Sequence, residues 1–123
     1  MKKALFLLIS IATLLGACSK SFEETYGGVW TVTFQGSYDG VGTINVANDG
    51  TYSDDVVFDG GFWVGNITNH VQGSVDDNGK ITGDIYMSGD KIGTISGNLR
   101  DDKTGTGTYQ TDIPTSGTWV AVK

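Results

Sequence analysis

From residue 27 onward, apolar and small polar side chains alternate almost one for one. Trp30, Val32 and Phe34 fall on one parity, with Thr31, Thr33 and Gln35 between them. A period of two is the signature of a strand with one buried face. Ile44 and Val46 continue it, and Asn48-Asp49-Gly50 supplies the positive φ that a tight hairpin wants. Tyr52, Val56 and Phe58 carry the next strand. Trp63, Gly65, Ile67, Asn69, Val71, Gly73 and Val75 then keep a single parity with no turn signal between them. That pattern predicts one long strand, bent near Asn69. Asp76-Asp77-Asn78-Gly79, Ser88-Gly89-Asp90 and residues 101–103 separate three more strands, Pro114 sits in a last loop, and Gly117, Trp119 and Ala121 mark the final strand.

Eight strands result, at about 29–36, 41–47, 50–58, 62–76, 80–87, 91–99, 104–110 and 117–122. The expected fold class is all-β: a single antiparallel up-and-down meander of eight strands, closed as a barrel. A β-sandwich of the same strands is the alternative. An even count lets the first strand pair antiparallel with the last. Closure also removes the edges that a Thr-rich sheet would expose to aggregation. A short repeat of apolar-x-Gly, in Ile81-Thr82-Gly83, Ile95-Ser96-Gly97 and Val71-Gln72-Gly73, fits successive hairpins and is too irregular for a solenoid.

The amino terminus breaks this pattern. Lys2 and Lys3 precede an apolar run at residues 4–15, interrupted only by Ser10 and Thr13. A spanning helix needs roughly 20 residues, so the run reads as a cleaved signal peptide. Its end, Leu15-Gly16-Ala17-Cys18, resembles the bacterial lipobox. The resemblance implies cleavage before Cys18 and acylation of that residue. The organisation expected is a lipoprotein signal peptide at 1–17, a lipidated tether at 18–26 and a glycine-rich β-barrel domain at 27–123. In the sorting pattern of such lipoproteins an Asp after the Cys retains the protein at the inner membrane, so Ser19 implies a lipid-anchored place at the bacterial outer membrane, on its periplasmic or its surface face. Glu23 and Glu24 weakly resemble a surface-export signal, but the tether reads first as a solvated linker.

Charge narrows the partners. Without Lys2 and Lys3, six basic side chains face 14 acidic ones, a net charge of about −8. Arg100 is the only arginine. Nucleic acid is excluded as a partner, since phosphate binding needs clustered Lys and Arg. Anionic membrane surfaces are disfavoured for the same reason, which leaves membrane affinity to the acyl chains, at about 0.8 kcal/mol per buried CH₂. A single cysteine permits no intrachain disulfide, so core and ladder must hold the domain.

Gly28-Val29-Trp30 on the first strand and Gly117-Thr118-Trp119 on the last resemble the calycins, the lipocalin and avidin group of small ligand-binding barrels. In that group a Gly-x-Trp tryptophan packs across the closed end, and lipocalins add a basic residue from the last strand. Lys123 is the candidate for that residue, although its position fits poorly. The resemblance implies a barrel and, as one possible function, carriage of a small apolar ligand.

Candidate chemistry is sparse. Inward glycines can open a cavity or can be covered by aromatic rings. The filled reading is favoured, with Trp30, Trp63 and Trp119 as the barrel-closing core. Asp54 lies on the inward parity beside Tyr52. It is either a buried site carboxylate or, as preferred, turned to water at a bulge beside Asp55. Asp76-Asp77-Asn78-Gly79 lacks the spaced ligands of a calcium loop and reads as a hairpin turn. His70 is the only histidine and points outward. No second His or free Cys accompanies it, so neither a zinc site nor a Cys–His nucleophile can be built, and a Ser-His-Asp site would rest wholly on this one exposed residue. No cofactor is expected and the chain does not read as an enzyme. The outward faces are polar, opposite to what a spanning barrel needs. Phe62 and Val64 point outward near Gly60-Gly61. Either Phe22 and Tyr26 of the tether cover them, as is preferred, or they form a partner surface. The expected function is a non-catalytic interaction or inhibitor-type module of the envelope, with a protein partner. The alternative is a carrier of a small apolar ligand. Candidate binding residues are Phe62, Val64, Tyr52 and Asp54.

Overall fold

The structure, a computed structural model, describes residues 21–59, 65–112 and 116–123. The lipobox with Cys18, and Phe62, Trp63 and Val64, lie outside the described residues. One short helix, α1 (Phe22–Thr25), precedes eight strands: β1 (Gly28–Gly36), β2 (Asp39–Val46), β3 (Thr51–Asp59), β4 (Asn66–Val75), β5 (Lys80–Met87), β6 (Asp90–Leu99), β7 (Thr104–Thr111) and β8 (Ser116–Val122). Each strand pairs antiparallel with the next, and β1 pairs with β8, so the meander is a closed barrel. The sandwich alternative falls away.

Alternation holds along the strands because each has one wet face and one dry one. In β1, Trp30, Val32 and Phe34 are buried, while Val29, Thr31 and Gln35 are exposed. Two expectations need correction. First, the single strand expected to run on to residue 76 is interrupted at Gly65, whose φ of +73° an extended strand cannot hold, and β4 begins at Asn66. From Asn66 on, the β3–β4 register runs without interruption, from Thr51↔Ser74 to Asp59↔Asn66. Second, the tether is not a solvated linker throughout. Residues 22–25 form α1, with Ser21 accepting from Glu24 N as its N-cap, and Phe22 and Tyr26 pack against the core. Barrel stagger places Trp119 across from Phe34.

The helix and the Gly50 and Gly79 turns share one end of the barrel. Phe22 lies near Gly50, and Tyr26 near Gly79. The β1–β2 and β5–β6 connections, at 37–38 and 88–89, lie at the far end, with the strand ends Asp59, Asn66, Thr111 and Ser116. Phe22 and Tyr26 are therefore committed at the opposite end from Asp59 and Asn66, the strand ends that flank Phe62 and Val64.

The interior is filled by its own side chains. Trp30, Phe34, Val56, Val71, Ile81, Ile85, Leu99 and Trp119 are essentially inaccessible. The glycines hold rings, not empty space. A Cβ on Gly97 or Gly107 would fall about 2.6 and 2.4 Å from the Trp119 ring, and one on Gly83 about 2.1 Å from the Tyr52 hydroxyl. The missing side chains let large rings lie flat against the wall. Phe34, Phe58 and Tyr109 form an aromatic cluster toward the far end, with centroids 4.9–6.1 Å apart.

Candidate functional site

The structure settles where several predicted site residues go. Tyr52 is buried, and its hydroxyl donates to Thr82 O at 2.9 Å. Burial, with Asp84 nearby, pushes that hydroxyl well above the usual tyrosine range. Tyr52 is a core post rather than a surface contact. Asp54 keeps its inward parity and is half-buried; no bulge turns it to water on the β4 side, because Asp54 pairs regularly with Val71. The β2–β3 register instead stops at Gly42↔Val56, and the Asp54 carboxylate accepts from Asn45 N at 2.9 Å just beyond that point. A charged acceptor thus serves a backbone N–H that the ladder leaves open. Asp76 is used the same way, accepting from Asn78 N and Lys80 N within its turn.

Two carboxylates are held below the usual range by hydrogen bonds in tight turns. Asp49 accepts from the Thr51 side chain and backbone, and Asp102 from those of Thr104. These are hairpin devices. Lys123, at the end of β8, reaches the helix: Nζ donates to Glu24 O at 2.8 Å and Glu23 O at 3.4 Å. Beside it, Trp30 Nε1 donates to Tyr26 O at 2.8 Å. A basic residue, a short helix and a Gly-x-Trp indole therefore meet at one closed end.

Two features stand on the outer wall. An open groove of about 670 Å³ lies at the far end, over β1, β2 and β3. Val41 and Val57, cross-strand partners, are exposed in its floor, and Asp39 and Asp59, also partners, stand at its rim. Asn66 lines it too, so it lies beside both strand ends that flank Phe62 and Val64.

The second feature sits over β3, β4 and β5. His70 Nε2 lies 2.7 Å from Ser53 Oγ, and His70 Nδ1 lies 2.9 Å from Asp55 Oδ1. The strand register makes this contact. Asp55 pairs with His70 across the ladder, and Ser53, two residues before Asp55, falls on the same outward face. One tautomer satisfies both bonds: Nδ1–H donates to Asp55 while Nε2 accepts from Ser53. Gln72, opposite Ser53, donates through Nε2 to the Tyr86 hydroxyl at 3.4 Å, and Tyr86 is opposite His70. A hollow of about 350 Å³ is lined by Asp55, His70, Gln72, Tyr86, Ser88 and others. Sequence reasoning placed His70 outward but did not find its partners, because they depend on the β3–β4 register.

Among the described residues no cluster of three or more His, Cys, Asp or Glu is arranged to hold a metal, and no helix is long and apolar enough to cross a membrane. Comparison with protein-family models, with curated proteins and with solved structures gave no match.

Proposed function

We propose that this chain is a lipid-anchored envelope lipoprotein that works as a protein-interaction or inhibitor-type module, binding rather than transforming its partner. The observation that carries this reading is the filled interior. A barrel whose centre is occupied by Trp30, Trp119, Phe34 and Tyr52 offers its partners an outer wall and loops. Geometry supports one end in particular. If Cys18 is acylated, α1 begins four residues later and fixes the helix end toward the membrane. The groove then faces away, about 20–25 Å further out for a nine-residue strand at barrel tilt. An apolar floor with a carboxylate rim suits a basic protein segment, and the charge of the domain favours the same choice.

The test uses full-length lipidated protein, extracted in detergent, as bait in an envelope extract. Capture of a basic protein that weakens as salt rises from about 0.05 to 0.5 M, and that fails for Val57→Glu, supports the module. The carrier reading survives on one feature: Asn69 is buried on the inward parity and its Oδ1 has no hydrogen-bond partner among the described residues. A small molecule retained by the intact protein in native mass spectrometry, and lost in Asn69→Leu, would put the carrier first.

A further inference from the structure

We infer that Ser53, His70 and Asp55 form a nucleophilic site on the outer wall, which accepts the acyl group of a carboxylic ester. This goes beyond the binding role proposed above and does not depend on it, because the groove and this site lie on different parts of the wall. The inference rests on geometry. Ser53 Oγ and Asp55 Oδ1 lie within hydrogen-bond distance of opposite nitrogens of one imidazole, at 2.7 and 2.9 Å. A serine hydroxyl is a weak nucleophile until a base takes its proton, and that base works best when a carboxylate fixes its tautomer. All three groups come from adjacent regular strands, which hold them more firmly than loops would.

The step balances as follows. Ser53 Oγ attacks the ester carbonyl carbon and its proton passes to His70 Nε2. The tetrahedral oxyanion collapses, the C–O bond to the alcohol breaks, and His70 returns the proton to the departing alkoxide. Water, activated by the same imidazole, then cleaves the acyl-serine and releases the carboxylic acid. The developing oxyanion needs donors. Gln72, across the ladder from Ser53, and Tyr86, its hydrogen-bond partner, line the hollow, and in this scheme their Nε2 and hydroxyl groups supply them. Ser53, His70, Gln72 and Tyr86 are catalytic in this scheme, and Asp55 is a positioning residue. The hollow beside His70 is open to water, so the site suits a short acyl group projecting from a larger molecule and makes no pocket for a long chain.

Across the ladder from His70 stand Asp55 on β3 and Tyr86 on β5; beyond them Asp84, opposite Gln72, pairs with Lys91 of β6 at 3.1 Å. The test treats full-length protein with a fluorophosphonate, which transfers its phosphonyl group to an activated serine and releases fluoride, and locates the adduct by peptide mass. Hydrolysis of 4-nitrophenyl acetate is followed in parallel. Ser53 should be labelled and Ser53→Ala should be silent. His70→Ala should slow both reactions on the order of 10²-fold or more. Asp55→Asn should move the pH–rate profile, with Asp55→Glu restoring it, and Gln72→Ala should lower kcat more than it raises KM. Tryptophan emission checks that each variant is folded. Labelling of Ser53 no faster than that of Ser96, an exposed serine on β6, would overturn the inference, as would labelling indifferent to His70→Ala.

Discussion

At the scale of single residues, this barrel depends on small residues placed under large ones. Trp119 shows the arrangement. Its ring lies over Gly97 and Gly107, and its Nε1 donates to Ser96 O at 3.2 Å. Gly107→Ala would put a methyl about 2.1 Å from Ser96 O and about 2.4 Å from the ring, and backbone cannot yield as a flexible side chain can. We expect a loss of about 1–3 kcal/mol in urea unfolding, the range for overpacking. Trp119→Ala should cost more, about 3–5 kcal/mol, since it empties the space that the two glycines leave. If Gly107→Ala proved neutral, the close packing of ring on wall would be wrong. Charged residues act on another axis. The Asp49 and Asp102 carboxyls are depressed in the folded state by their Thr51 and Thr104 hydrogen bonds. A depressed acid contributes stability that is fully present above its unfolded value near 3.8 and is lost as pH falls through the folded value. Asp49→Asn and Asp102→Asn should therefore change stability little at pH 3 relative to the parent, and more at pH 7. Thermal melts of both variants at the two pH values check the sign.

At the scale of elements, the strands were legible and their ends less so. Alternation in β1, β3, β5 and β8 could be read directly because each strand has one wet and one dry face. The error at the start of β4 arose because Gly65 keeps the parity while its φ of +73° breaks the strand. That single position also hid the Ser53–His70–Asp55 cluster, since the β3–β4 register cannot be derived until the connection is known. Helix α1 escaped notice because four residues carry no helical period. The available signal was Ser21 with Glu24 three positions on, the pattern of a capped helix start. Lys123 ties the end of β8 to α1 by donating to the carbonyls of Glu23 and Glu24. Lys123→Ala should free the helix without opening the barrel. Hydrogen exchange should rise at Tyr26 and Gly27, whose N–H groups bond Phe22 O, while β1 and β8 amides stay protected. Equal loss of protection in α1 and β8 would mean that Lys123 supports the strand pairing instead.

At the scale of the molecule, the question is whether the barrel holds itself or holds something else. About a hundred residues without a disulfide have only core and ladder to rely on, and a domain of this size has a margin of about 5–15 kcal/mol. Trp30 and Trp119 sit at different levels of the interior, one against α1 and the other across from Phe34, so together they sample much of the barrel. Both are essentially inaccessible to solvent. In a Trp63→Phe background, emission would come from these two rings alone. It should be blue-shifted, resist quenching by acrylamide, and stay unchanged when bound lipid is extracted from the detergent-solubilised protein. A hollow barrel gives the opposite result: removing a ligand admits water or lets the walls relax, and the emission moves to the red. The buried Asn69 Oδ1 sharpens the comparison, because an acceptor with no partner among the described residues has something to gain from a guest. If extraction shifts the emission and Asn69→Leu abolishes the shift, the interior is a binding site and the groove is secondary. With neither effect, the interior serves only to hold the wall, and what this protein recognises it recognises from outside.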